Sequence, residues 1–95
     1  MPEQFQIEPM GEHDYLVRVR YSGGVIESRF QASPAVVDEL DAAEADEQRV
    51  IEETALYLAE RQPVIDLPPM VDLDDVAAAY GDHYINEMTR RLKDS

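Results

Sequence analysis

The sequence predicts an α+β fold in which a three-stranded antiparallel meander is covered on one face by helices. In residues 14–21 an apolar side chain recurs at every second position, at Tyr15, Val17, Val19 and Tyr21, as on the inner face of a half-buried strand. A Gly-Gly pair follows this run, and glycines supply the backbone angles of a tight hairpin turn. After Ser33 the apolar residues recur at helical spacing, so we expect the helices in the rest of the chain. Together these patterns predict a single domain spanning residues 1–95.

The three predicted strands cover residues 4–8, 14–21 and 25–32. Phe5 and Ile7 alternate with polar residues and define the first strand. A two-residue turn at Gly23-Gly24 joins the second and third strands and sets their register. This register places Tyr21 opposite Ile26, Val19 opposite Ser28, Val17 opposite Phe30, Arg20 opposite Glu27 and Arg18 opposite Arg29.

The predicted helices cover residues 34–42, 46–61 and 72–93. Ser33-Pro34 is typical of a helix start, and Asp46 and Asp72 are the expected caps of the later helices. The last helix can be one element or two, because Gly81 interrupts it. Residues 63–71 contain three prolines and are predicted as an extended segment lying over the core.

The central helix, 46–61, is predicted to bury one apolar face. At 100° per residue, its inward face comprises Val50, Ile51, Thr54, Ala55 and Leu58.

Negative charge is concentrated in residues 38–60. The chain has a formal charge of −13, and this stretch carries nine acidic residues against one arginine. A concentrated acidic surface favours a basic protein partner and argues against direct binding to nucleic acid or an anionic membrane. An evenly spread excess of acids would instead indicate adaptation to high salt.

Composition excludes several classes of function. The chain has no cysteine, which excludes disulfides, thiol catalysis and cysteine-based zinc sites. It shows no signal-peptide pattern and no long apolar run, so we expect a cytoplasmic protein that does not enter a membrane. No phosphate loop or catalytic assembly is evident, and we expect neither a cofactor nor an enzymatic activity.

The candidate partner-binding residues are Glu52, Glu53, Leu56 and Glu60. They lie on the second predicted helix (46–61, labelled α2) and are called the α2 patch below. Leu56 lies about 140° from the centre of the apolar face and is surrounded by acids, as at an interface where an apolar anchor has a charged rim. Coverage of Leu56 by another part of the chain, or by a second copy in a homodimer, is the alternative. An antitoxin-like or nucleic-acid-mimicking inhibitor is a further variant of this function.

A competing hypothesis is an enzyme or metal-binding protein that uses His83 and Glu87. The two residues are four positions apart and share a helical face, which is a spacing that can hold a metal. An exposed histidine beside an acid in an acidic chain is the simpler interpretation.

The order of these elements resembles a group of small bacterial proteins of uncharacterised function. The matching residues are Val17 to Phe30, then 55–63 with its Leu-x-x-Arg-x-Pro-like ending, and then Asp72-Leu73 through Tyr80 and Tyr84. The opening from Ile7 through Val17 is also similar to the first hairpin of HicB-type antitoxins. The first resemblance implies a hairpin followed by helices, and it implies no activity.

Overall fold

A sheet with helices packed on one face forms the part of the chain that the structure describes. The computed structural model describes residues 4–21, 23–40, 47–61, 63 and 66–93. The strands are β1 (Gln4–Gly11), β2 (Asp14–Tyr21), β3 (Gly24–Gln31) and β4 (Met70–Asp72). The helices are α1 (Pro34–Glu39), α2 (Glu47–Arg61), α3 (Leu73–Tyr80) and α4 (Asp82–Lys93).

The predicted meander is confirmed, and a fourth strand extends it. The strands lie in the order β1-β2-β3-β4, with the first three antiparallel and β4 parallel to β3. The backbone N–H of Arg29 also donates to the carbonyl of Pro69 at 2.8 Å. Part of the segment predicted to lie over the core therefore pairs with the edge of the sheet.

The predicted hairpin register was wrong by two residues. Tyr21 pairs with Gly24, so Gly24 belongs to β3 and not to the turn. Its φ of 146° is a conformation that glycine adopts without strain. A Cβ on Gly23 would lie 2.7 Å from the ring of Tyr21, which favours glycine at that position too. Because strand side chains alternate with a period of two, the shift leaves each residue on its predicted face.

The observed register improves the charge pairing on the open face. Arg18 lies opposite Glu27 and donates to it at 2.6 Å, whereas the predicted register set Arg18 against Arg29. Arg29 instead lies opposite Leu16. Like charges directly across two strands are destabilising, so the observed pairing is the more favourable one.

The first strand is longer than predicted. β1 continues past residue 8 to Gly11, with an irregularity in its pairing between Pro9 and Gly11. His13 then turns the chain with a φ of 62°, which is uncommon for a residue other than glycine. Proline and a bulge on an edge strand both discourage pairing with another chain at this end.

The described residues form four helices, because the predicted segment 72–93, which could be one helix or two, is divided at Gly81. Gly81, with a φ of 61° and a ψ of −140°, separates α3 from α4, because this backbone conformation suits glycine and cannot continue an α-helix. α1 ends at Glu39 rather than at residue 42, and α2 begins at Glu47. Residues 41–46, including the predicted cap Asp46, lie outside the described residues.

The helix starts at Ser33 and Asp72 differ in their capping. The Asp72 side chain accepts a hydrogen bond from the Asp74 N–H at 2.9 Å, which confirms the predicted cap. Ser33 occupies the predicted cap position before α1, but its hydroxyl donates to the Asp74 carboxylate at 2.8 Å. This bond ties the start of α1 to the first turn of α3.

The core lies between the meander and the helices. α2 packs on β1 and β2, α3 contacts β4 and α1, and α4 packs on α2 and α3. The predicted inward residues of α2 are all buried. The largest fully buried side chains are Tyr57, Tyr84, Phe30, Ile51, Leu73 and Met88. Within the described residues, no helix is both long enough and apolar enough to cross a membrane.

Candidate interaction surface

The four residues of the α2 patch lie on one helix but differ in their surroundings. Glu52 is exposed, whereas Leu56 is half-buried. The side chain of Glu60 is 54% exposed and that of Glu53 only 17% exposed. The patch therefore combines solvated carboxylates with a leucine that neighbouring side chains partly cover.

Arg91 of α4 forms ion pairs with two of these carboxylates, those of Glu53 and Glu60. Its Nη2 atom donates to both oxygens of Glu60, at 2.8 and 2.9 Å, and its Nη1 atom lies 3.6 Å from Glu53. Its Nε atom donates to Glu87 at 3.1 Å. Burial lowers the pKa of Arg91, but the hydrogen bonds with Glu60 and Glu87 outweigh this effect and raise the pKa above its ordinary value. Three carboxylates thus share one guanidinium that is largely buried.

Glu52 is the carboxylate of the α2 patch that remains open to a partner. Within the described part of the chain, Glu53 and Glu60 have Arg91 as an ion-pair partner and Glu52 has none. A cation of a partner protein would have to compete with Arg91 for Glu53 and Glu60. The structure therefore brings Glu53 and Glu60 together around an internal arginine and leaves Glu52 at the surface.

Tyr57 lies beneath this arginine and joins α2 to the last two helices. Its ring is fully buried and makes T-shaped contacts with Tyr80 and Tyr84, each with 5.4 Å between ring centroids. The guanidinium of Arg61 stacks 3.5 Å from the ring centroid of Tyr57. The helical pattern did not assign Tyr57 to the inner face, although it follows the buried Thr54 by three residues. That spacing was the signal for its burial.

The histidine and carboxylate of the metal hypothesis face different partners. His83 Nδ1 lies 2.6 Å from the Tyr57 hydroxyl, and Glu87 accepts from Arg90 and Arg91. Hydrogen bonds from these arginines hold the pKa of Glu87 below its ordinary value. Among the described residues, no group of three or more histidine, aspartate or glutamate side chains is arranged to hold a metal ion.

The hydroxyl of Tyr84 is a titratable group buried in the core. We expect its burial to make the free energy of unfolding fall as pH rises through the alkaline range. Burial raises the pKa of Tyr84 to about 12, and a hydrogen bond with Thr54 opposes the rise. The contribution of Tyr84 to the free energy of unfolding is fully present below about pH 10, the pKa of tyrosine in the unfolded chain. It is lost as pH rises towards 12, because the unfolded chain releases the proton first. The rise in the pKa of Tyr84 from 10.0 to about 12 corresponds to about 2–3 kcal/mol of the free energy of unfolding.

The measurement is the free energy of unfolding in urea between about pH 9 and pH 11. We expect it to fall more steeply with pH in the native protein than in Tyr84→Phe, which lacks the ionising group. Burial also raises the pKa of Tyr15 to about 12, so the variant should keep part of the slope. Identical slopes in both proteins would contradict the assignment to Tyr84.

A buried carboxylate at the start of α2 binds the first hairpin turn. The Tyr15 hydroxyl donates to one oxygen of Glu47 at 2.8 Å, and His13 Nδ1 lies 2.7 Å from the other. Only 6% of the Glu47 side chain is exposed. The three side chains satisfy one another and fix the turn against the helix. Sequence reasoning missed this cluster because His13 and Glu47 are 34 residues apart.

The carboxylates on the open face of the meander have cationic partners inside the domain. Arg18 binds Glu27 and Glu8, at 2.6 and 3.4 Å. Arg29 binds Asp14 at 2.9 Å. The open face of the sheet is therefore close to neutral.

Outside the meander, many carboxylates lack such a partner. Glu47, Glu53, Glu60 and Glu87 are paired there. Among the residues that the structure describes, those outside the meander without an ion-pair partner are Asp38, Glu39, Glu52, Asp66, Asp72, Asp74, Asp75 and Asp82. Surplus negative charge thus belongs to the helical side of the domain, which is the main electrostatic feature of its surface.

Comparison with known proteins adds no further assignment. No protein-family model, no curated protein and no solved structure matches the chain. The resemblance to small bacterial hairpin-and-helix proteins stays a prediction.

Proposed function

We propose that this chain is a non-catalytic interaction protein that binds a basic protein partner through the carboxylates of residues 38–60. The observation that carries the proposal is the asymmetric distribution of unpaired acids. Carboxylates on the open face of the meander are compensated internally, whereas Asp38, Glu39 and Glu52 are exposed and lack a cation in the described part of the chain. Such a surface attracts lysine and arginine side chains and accelerates association with a basic protein.

The contributions within the α2 patch are unequal. Glu52 offers its full charge, whereas Glu53 and Glu60 already bind Arg91. Leu56 is half-buried and presents only part of its side chain as an apolar contact. We therefore expect Glu52 to contribute more to partner affinity than Glu53.

Capture of a partner from the native organism, followed by titration of the purified complex, tests the proposal. We expect a basic protein whose affinity falls as salt rises from about 50 to about 500 mM, because exposed charges are screened over this range. Glu52→Lys should weaken binding at low salt by about tenfold, since it replaces an attraction with a repulsion.

Glu8→Lys on β1 is the control on the meander, because it changes the net charge equally at an exposed position. Circular dichroism checks that loss of the 3.4 Å ion pair of Glu8 with Arg18 leaves the fold intact. Glu8→Lys should change affinity by less than about twofold if the helical side is the binding surface. An affinity that does not respond to salt, or equal losses in the two variants, would reject the assigned surface.

A further inference from the structure

A second surface, where β4 at the edge of the sheet meets α3, combines an apolar groove with unpaired acids. The groove runs between α3 and the segment that contains β4, and its volume is about 180 Å³. Six of the apolar residues that line it define the Met70 groove: Leu58, Pro68, Met70, Val76, Ala79 and Tyr80. A volume of this size is comparable to one large apolar side chain.

Met70 makes this groove unusual for a surface feature. Its side chain is 60% exposed, the highest value among the large hydrophobic residues that the structure describes. The next residue, Val71, is buried because strand side chains alternate between faces. An isolated exposed methionine needs no explanation, but one beside other apolar lining forms a contiguous patch. Methionine also adapts its shape to varied apolar partners.

The edge of the groove carries negative charge. Asp72 and Asp75 both line it, and neither has an ion-pair partner among the described residues. Asp75 is exposed, so its charge is available to an incoming chain. Charge complementarity therefore selects a basic segment, and the apolar floor selects a segment that also presents a large apolar side chain.

We propose that the Met70 groove binds a large apolar side chain of a partner protein, in a segment where arginine or lysine flanks that side chain. This inference rests on the proposed function, because it assigns the apolar anchor of the same kind of basic partner. The anchor enters between Met70 and α3, while the flanking cations lie near Asp72 and Asp75. The two interactions give the groove a sequence preference that net charge alone does not supply.

Two synthetic peptides separate the apolar contribution from the electrostatic one. The first has a central leucine with two arginines on each side, and the second has serine in place of the leucine. We expect fluorescence anisotropy at about 50 mM salt to show about tenfold tighter binding of the leucine peptide. Equal binding of both peptides would reject the groove while leaving the electrostatic function intact. Failure of both peptides to bind would reject the groove and count against the proposed function as well.

Paired variants then locate the binding site. Met70→Ser should reduce the affinity of the leucine peptide by about fivefold and leave the serine peptide unchanged. Met10→Ser is the matched control, because Met10 is 49% exposed on β1 outside the groove. Both positions are exposed, so the variants should fold, and circular dichroism verifies this. Equal effects of the two variants would overturn the assignment.

Charge reversal provides an independent arm of the same experiment. Asp75→Lys should weaken both peptides, because it places a cation where the flanking arginines bind. Asp82→Lys is its control, since Asp82 is an exposed acid at the start of α4 that does not line the groove. Equal losses in both variants would show that only net charge matters and would reject the groove.

Discussion

Replacing Tyr57 with alanine is expected to lower the free energy of unfolding by about 3–5 kcal/mol. The side chain is fully buried and contacts Tyr80 and Tyr84, so its removal leaves a large cavity where α2 meets α3 and α4. It also removes the ring on which the Arg61 guanidinium stacks at 3.5 Å. Urea denaturation followed by circular dichroism measures the loss.

Two further variants provide the comparison. One isolates the contribution of the Tyr57 hydroxyl, and the other measures the loss at the neighbouring position. Tyr57→Phe keeps the ring and removes only the hydroxyl that lies 2.6 Å from His83, so we expect a loss of about 1 kcal/mol. Leu56→Ala removes the neighbouring half-buried side chain, and its cost should also be about 1 kcal/mol. A loss below about 1 kcal/mol for Tyr57→Ala would contradict the central position of this residue in the helical layer.

Features that depend on local periodicity were predictable from the sequence. Tyr15, Val17 and Val19 occupy every second position of the strand, and all three are buried against the helices. The face of a strand depends on parity alone, so the inward face survived an error of two residues in the register. The inward face of α2 was predictable for the same reason, because burial follows the 3.6-residue period.

Features that depend on pairing between distant segments were not predictable. β4 has only three residues, and prolines precede it, so its sequence does not indicate a strand. It forms because β3 offers an unpaired edge, which no local pattern reveals. The hairpin register likewise depended on which residues make the turn, and Gly24 suits either the turn or the strand.

The candidate site shows the same division between local and distant information. Clustering of acids in residues 38–60 is visible in the sequence, but the ion pairs that neutralise some of these acids are not. Glu60 binds Arg91, which lies 31 residues further along the chain. The open acidic surface predicted for the α2 patch is therefore smaller than its composition suggests. The surplus charge spreads instead over α1, α3 and exposed positions such as Glu52, where the described residues provide no cation.

Replacing Glu47 with alanine is the second substitution expected to have a large effect. The variant should lose about 2–3 kcal/mol, because it removes the acceptor of the buried Tyr15 hydroxyl and the carboxylate that lies 2.7 Å from His13 Nδ1. Tyr15 is buried and cannot turn freely to water, so most of the cost falls on its hydroxyl. Thermal and urea denaturation of the two proteins measure the difference.

The same helix provides the control that separates burial from charge. Glu52→Ala removes an identical charge from an exposed position of α2, so we expect its stability to stay within about 0.5 kcal/mol of the native value. Combining Glu47→Ala with Tyr15→Phe should recover part of the loss, because the second change removes the orphaned hydroxyl. Equal effects of Glu47→Ala and Glu52→Ala would mean that only net charge matters. The buried cluster would then contribute nothing to holding the first hairpin turn against α2.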